Sequence, residues 1–257
     1  MDLNADLGEG VGDDEALLAL VTSANVATGA HAGGGAVLAR TVRAAVAHGV
    51  RVGAHPSYRD RQGFGRRSQL ERLRDDAAAG QALVADLVEQ VLLVHAAALR
   101  HGAGLSHVKA HGALYNDAVA DEVAARLVAD AALRVCERLG RAISVTTQPG
   151  GALAELASRV GLPVLAEGFV DRGYLPGGVL QPRDRPGAVL DDVPAMVAQA
   201  LDLAAGEVAT VTGARIGLRV DTLCVHGDTP DAVLAARAVR SALLEAGWQV
   251  AAPVRWP

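Results

Sequence analysis

Seven times along this chain a short apolar run ends on a polar or histidine side chain and passes into a stretch with helical spacing. No succession of hairpins interrupts the series. Strand then helix, repeated, calls for parallel strands joined by helical crossovers, because a parallel neighbour is reached only by carrying the chain back along the sheet. Seven such units in 257 residues, with no Pro-, Gly- or Ser-rich linker between them, predict one α/β domain over 1–257: a seven-stranded (β/α) barrel. A doubly wound open sheet is the alternative, since seven parallel strands also lie flat. In a barrel the C-terminal strand ends line the active site. Here those ends read Asp6, His31, His55, His111, Gln148, Glu167 and His226.

The first unit is the densest. In Asp2-Leu-Asn4-Ala-Asp6-Leu-Gly8-Glu9-Gly10 the alternation puts Asp2, Asn4 and Asp6 on one strand face, and the flanking glycines let Glu9 turn back toward it. A solvent-facing edge strand gives the same alternation. Three further units carry histidine at or just past the strand: 24–29 into His31, 50–54 into His55, and 106–109 into His111, where Lys109 and His111 share a face. A glycine-bearing loop through Gly63-Phe64-Gly65-Arg66-Arg67 precedes a helical stretch over 68–100, and another helix runs to about 139. Strands at 142–146 and 163–166 follow, then a long loop (168–188), a helix over 191–205, a hairpin-like segment (209–220) and a last strand, 222–226. Asp228-Thr229-Pro230 reads as the cap of a final helix to about 246.

Composition narrows the function. The chain is 51% hydrophobic, enough for a large core, yet no run approaches the roughly 18 apolar residues of a membrane span. Its first residues are acidic rather than basic-then-apolar, and Cys136 and Cys224 make no disulfide framework, so the cytoplasm is the expected compartment. A net charge of -5 without a basic block argues against nucleic acid as a partner.

The strand-end residues suit two kinds of chemistry. Histidines beside Asp6 and Glu9 are ligand types for zinc, manganese or iron, with Asp6, His31 and His55 as metal candidates. Without a metal, the same groups serve as general acids and bases near neutral pH. Lys109, the single lysine among 24 basic residues, either holds a substrate carboxylate or developing oxyanion, or forms a buried salt bridge to Asp6 or Glu167. Gly33-Gly34-Gly35 and the 63–67 loop can turn tightly or cradle an anion; neither is a P-loop or dinucleotide fingerprint. His48, His95, His101 and His107 read as structural.

Six blocks, DLNADLGEG, SANVATGAHAGG, GAHPSYRDRQGFGRR, VKAHGALYN, EGFVDRGY and LCVHGDTP, span residues 2 to 230 in order and resemble the signatures of the 5-oxoprolinase A-subunit family, also called the lactam-utilisation protein B family. The resemblance implies a barrel similar to the glycoside hydrolase and deacetylase barrels. It also implies a hydrolase acting with two further 5-oxoprolinase subunits, B and C, in the ATP-dependent opening of the 5-oxo-L-proline lactam to L-glutamate, with ATP used by the complex. Matched position by position, Asp6, Glu9, His55, Lys109 and His111 are the catalytic candidates. Asn4, His31, Tyr115, Glu167, Asp171, Arg172, His226 and Asp228 are the substrate-binding candidates. The sequence departs from the family pattern in a shortened first rim loop at Val11-Gly12, in Thr28, Ala30 and Gly34 where Cys, Phe and Asp are usual, and in a Gly/Pro-rich loop after Tyr174. Two other functions fit the same residues: an independent metal-dependent amide hydrolase or deacetylase, and a non-catalytic protein that binds a small acid for its partners.

Overall fold

The computed structural model describes residues 1–227 and 231–253. In chain order the elements are β1 (Asp2–Leu7), α1 (Asp14–Leu18), β2 (Ser23–Ala27), α2 (Gly35–Ala47), β3 (Arg51–His55), α3 (Leu70–Asp75), α4 (Ala77–Leu99), β4 (Leu105–Lys109), α5 (Gly112–Ala120), α6 (Glu122–Leu139), β5 (Ser144–Thr147), α7 (Ala152–Arg159), β6 (Val164–Phe169), α8 (Val193–Ala205), β7 (Glu207–Ala209), β8 (Arg215–Gly217), β9 (Thr222–His226) and α9 (Ala232–Glu245). Seven parallel strands close in the order β1-β2-β3-β4-β5-β6-β9. Closure comes from β9, which pairs with β6 from Glu167↔Thr222 and with β1 from Asp2↔Thr222 to Asp6↔His226. The open doubly wound sheet is thereby excluded. The hairpin-like segment is an antiparallel pair, β7 with β8, outside the barrel.

Alternation along each strand sorts the residues. Leu3, Ala5 and Leu7 of β1, with Val52 and Ala54 of β3, belong to the apolar core. Their neighbours in sequence point into the barrel, whose interior is polar instead of the branched aliphatic filling common in such barrels. Asp2 accepts from Thr22 Oγ1, Ser23 Oγ and Thr222 Oγ1 at 2.5, 2.8 and 2.6 Å. Above it Asn25 Nδ2 donates to Asn4 Oδ1 at 2.7 Å, and His107 Nε2 donates to Asn25 Oδ1 at 2.7 Å. Burial pushes the His107 imidazole down to about 3, so it stays neutral. Gly53 has no side chain because the His107 ring fills that space; a Cβ there would stand 2.1 Å from its Nε2. A buried polar network is stable only when its members are paired, and this one links β1, β2, β3, β4 and β9.

Two helical stretches are broken where sequence spacing reads them as continuous. The 68–100 stretch divides at Asp76, whose carboxylate accepts from the N–H groups of Ala78 and Ala79 and so starts α4. The stretch before 139 divides at Asp121, which accepts from Val123 and Ala124 to start α6. An aspartate offering its own acceptor to the next turn competes with helix continuation. One further expectation is corrected: α4 is by length and composition apolar enough to cross a membrane. It is a wall of the barrel, with Val84, Leu87, Val88, Val91 and Val94 in the core. Its buried Gln90 clamps the chain after β3, accepting from Ser57 N and donating to Ser57 O, both at 3.0 Å. The expected Asp228-Thr229-Pro230 cap lies outside the described residues.

Candidate active site

The C-terminal strand ends open into a cavity of about 660 Å³ lined by, among others, Asp6, Glu9, His55, Lys109, His111, Tyr115 and His226. Each side chain arrives there for a local reason. Asp6 and His226 are the inward positions at the ends of β1 and β9. Beyond β1 the chain turns at Gly8 (φ 76°), where Asp14 Oδ2 accepts from Gly8 N at 3.0 Å and from Thr41 Oγ1 at 2.9 Å. That turn returns Glu9 over the barrel mouth, its side chain 5% exposed.

Lys109 stands at the floor. Its Nζ lies 2.8 Å from Asp6 Oδ1, 2.8 Å from Glu167 Oε1 and 3.1 Å from Cys224 Sγ. An ammonium has three N–H bonds, and three acceptors surround this one. Of the two readings for Lys109, the geometry matches the buried salt bridge, made to both carboxylates at once. Burial disfavours the charge, but the Asp6 carboxylate, with Glu167, outweighs it and holds the ammonium well above its ordinary range. For Asp6 burial is likewise outweighed, by His55 and Lys109, and its carboxyl sits well below the carboxylate range. The Cys224 thiol is pushed well up by burial, so it is not a thiolate nucleophile.

Three histidines pack above. His55 donates from Nδ1 to Lys109 O (2.8 Å), and its Nε2 is 3.2 Å from Asp6 Oδ2. His111, the N-cap residue just before α5, donates from Nε2 to Phe64 O (2.9 Å), and its Nδ1 meets His55 Nε2 at 3.0 Å and Glu9 Oε1 at 3.4 Å. His31 stacks on His111 with centroids 3.7 Å apart, its Nδ1 on Ser57 Oγ (3.0 Å) and its Nε2 on Glu9 Oε1 (3.1 Å). Burial lowers the affinity of His31 and His111 for a second proton, in His111 with further opposition from the other two histidines. The 63–67 loop forms the roof. Phe64, at a positive φ of 54°, packs its ring edge-on to His31 and His111, and Arg66 lies over that ring at 5.0 Å. Gly65 (φ 66°) fits under the cluster because it lacks a Cβ, which would stand 2.9 Å from both His31 Cβ and His111 Cδ2.

The remaining candidates lie on the far wall. His226 Nδ1 reaches both Asp171 oxygens, at 2.9 and 2.8 Å; burial opposes its proton, but Asp171 outweighs this and raises its pKa. Tyr115 packs edge-on to Phe169, and burial followed by the Glu167 charge drives its phenol well up. Among the described residues neither the Tyr115 hydroxyl nor either Glu167 oxygen has an aligned hydrogen bond. Arg172 lines the cavity while donating to Ala188 O and Gln181 O, so it also braces the loop after β6; burial and Arg183 lower it to about 10. Asn4 lies below the cavity floor, in the barrel network. Asp228 lies outside the described residues.

Some site residues carry no sequence signal. Leu175, Val179, Leu180 and Arg183 line the cavity from the loop after β6, a segment with neither periodicity nor motif. Phe64 and Ser57 are framed by the histidines they orient. The parity His107-Lys109-His111 is the one pattern that points to His107 as an inward residue.

A sequence model of the LamB/YcsF family matches residues 1–256. The chain belongs to the LamB/YcsF family. It is 47% identical to a Streptomyces griseus protein named as the A subunit of 5-oxoprolinase, over 98% of this chain and 99% of that one. It is 42% identical to a protein of the same name from Symbiobacterium thermophilum, over 98% and 95%. Among solved structures, a lactam utilization protein from Thermus thermophilus superposes with a TM-score of 0.88 at 39% identity, covering 98% of this chain and 99% of that one. A GH18 chitinase from Pseudoalteromonas aurantia reaches a TM-score of 0.50 at 12% identity, over 94% and 100%, a likeness of barrel fold alone.

Proposed function

We propose that this LamB/YcsF member is the A subunit of an ATP-dependent 5-oxoprolinase and that its barrel mouth is where the lactam of 5-oxo-L-proline is opened to L-glutamate. The observation that carries this reading is the 47% end-to-end identity to a relative bearing that name. The chemistry of the cavity is in keeping with it. Opening an unstrained amide ring needs a proton acceptor for attacking water, a donor for the leaving nitrogen and a counter-charge for the substrate carboxylate. The acceptor pole is the Asp6 carboxylate, with Glu9, His55 and His111 packed above it. The counter-charge comes from Arg66 and Arg183, which line the outer cavity. Lys109 is a positioning residue here, fixing Asp6 Oδ1 so that Oδ2 faces His55.

ATP supplies the activation of the amide and is used by the complex, formed with two further subunits, B and C, in the cytoplasm. The test is reconstitution: mix the chain with its two partner subunits and follow glutamate release from 5-oxoproline with and without ATP. Release that needs this chain and ATP is expected; none from the full complex overturns the reading.

A further inference from the structure

We propose that His55 Nε2, His111 Nδ1 and Glu9 Oε1 form a binding site for a divalent transition-metal ion. A carbonyl oxygen only accepts, so the bond to Lys109 O fixes a hydrogen on His55 Nδ1, and the bond to Phe64 O fixes one on His111 Nε2. The other nitrogen of each ring, His55 Nε2 and His111 Nδ1, is therefore the one turned into the cluster. Those two nitrogens face each other at 3.0 Å, with Glu9 Oε1 3.4 Å from one and Asp6 Oδ2 3.2 Å from the other. With Glu9 Oε1 they make three ligand-type atoms, all within 4.8 Å of one another, in a site with His55 1% and His111 7% exposed.

A cation resolves that arrangement, and the spacing has the right size. Two ligands each about 2.0–2.1 Å from one ion stand roughly 2.9 Å apart at a right angle and roughly 3.4 Å apart at the tetrahedral angle. The His55–His111 and His111–Glu9 separations, 3.0 and 3.4 Å, lie within that interval. The outer contacts are those of ligands held for a metal: both histidines are oriented through the opposite nitrogen by backbone carbonyls. Glu9 is held by His31, itself seated on Ser57. Asp6, with Oδ1 committed to Lys109 and to Asn25, lies beside the ligand set with its Oδ2 3.2 Å from His55 Nε2. Charge agrees, because Asp6 and Glu167 already share the one ammonium at the floor and Glu9 adds a third carboxylate above them. Two imidazoles with carboxylate oxygens suit zinc, manganese, iron(II) or cobalt(II). Of the trio expected from the sequence, Asp6, His31 and His55, only His55 belongs to this group, joined by His111 and Glu9; His31 is engaged at both nitrogens and Asp6 faces Lys109. The other grouping of ligand types, Asp6, Cys224 and His226, already has the Lys109 ammonium against two of its members.

The test uses the untagged chain alone, stripped with chelator and titrated with Co²⁺ or Zn²⁺ by calorimetry, with the visible cobalt spectrum as a second readout. Expected are one ion per chain and cobalt bands of a nitrogen- and oxygen-ligated centre. In His55→Gln and His111→Gln, affinity should fall by more than the roughly 10–100-fold that loss of an outer partner costs. In His101→Gln, an exposed histidine in the turn before β4, at the end of that strand away from the cluster, it should be unchanged. Absence of stoichiometric binding by the wild-type chain overturns the proposal whatever the variants do, as does binding that survives in both His55→Gln and His111→Gln. Because no turnover is read, failure here is separate from failure of the ring-opening assay.

Discussion

Replacing Lys109 by Met should unfold this protein sooner rather than merely slow it. The ammonium is 2% exposed and is the one cation paired with Glu167 among the described residues, besides neutralising Asp6. Methionine fills much the same volume, so the cost is electrostatic: Glu167 is left charged in a dry interior. Breaking a buried pair from one side costs about 3–5 kcal/mol. For a chain of this size about 1 kcal/mol moves the melting temperature by roughly 2–4 °C, so a drop of roughly 6–20 °C is expected. The double variant Lys109→Met/Glu167→Gln should recover part of it, since the stranded charge is then gone. The pH dependence has a definite sign. Lys109 is raised in the fold, so its contribution is present below its unfolded pKa near about 10.4 and is lost as pH rises through the folded value. Asp6 is lowered, so its contribution is present above about 3.9 and is lost as pH falls through the folded value. The wild-type advantage over Lys109→Met should thus be greatest between about pH 5 and 9. Calorimetric melting across pH is the assay. A single variant melting within about 1 °C of wild type at pH 7 would refute the double salt bridge.

Other outcomes follow from the same geometry. His111→Asn should cost the reconstituted complex most of its activity, whereas His95→Asn, on the outer helix α4, should leave it nearly unchanged; equal small losses count against the placement of His111. Gly65→Ala forces a Cβ into the stacked histidines at a positive φ, and should lower stability by about 1–3 kcal/mol with activity lost; wild-type melting and turnover would show that the roof is not packed as described. His226 should titrate by NMR above its ordinary value of about 6.5 and fall back in Asp171→Asn; no difference between the two would remove Asp171 as the cause.

How much of this was readable in the sequence depends on how local the signal is. The barrel was, because each strand carries its own alternation and each crossover its own helical spacing, and parallel pairing follows from their order. The site's principal side chains were readable too, since a histidine or aspartate at a strand end is placed by the fold and not by its neighbours. Asp76 and Asp121 were harder: each sits in a stretch that is helical on both sides, and only its bonds to N–H groups two and three residues on reveal a boundary. The role of Lys109 was left between two readings because its partners, Asp6, Glu167 and Cys224, come from three other strands. The cavity wall between 175 and 184 has no periodic signal at all. Its placement depends on the bracing of Arg172 and on Gln148 Nε2, which donates to Gly178 O at 2.5 Å.

The central claim is that ring opening takes place at the barrel mouth of this chain, and Asp6 tests it most directly. Glutamate release from 5-oxoproline should be measured in the ATP-supplied complex containing either wild-type chain or Asp6→Asn, with circular dichroism confirming that the variant is folded. Loss of a positioned proton-transfer group typically costs 10²–10⁴-fold, so a fall of at least about a hundredfold is expected. Release at the wild-type rate by a folded Asp6→Asn complex would contradict the account.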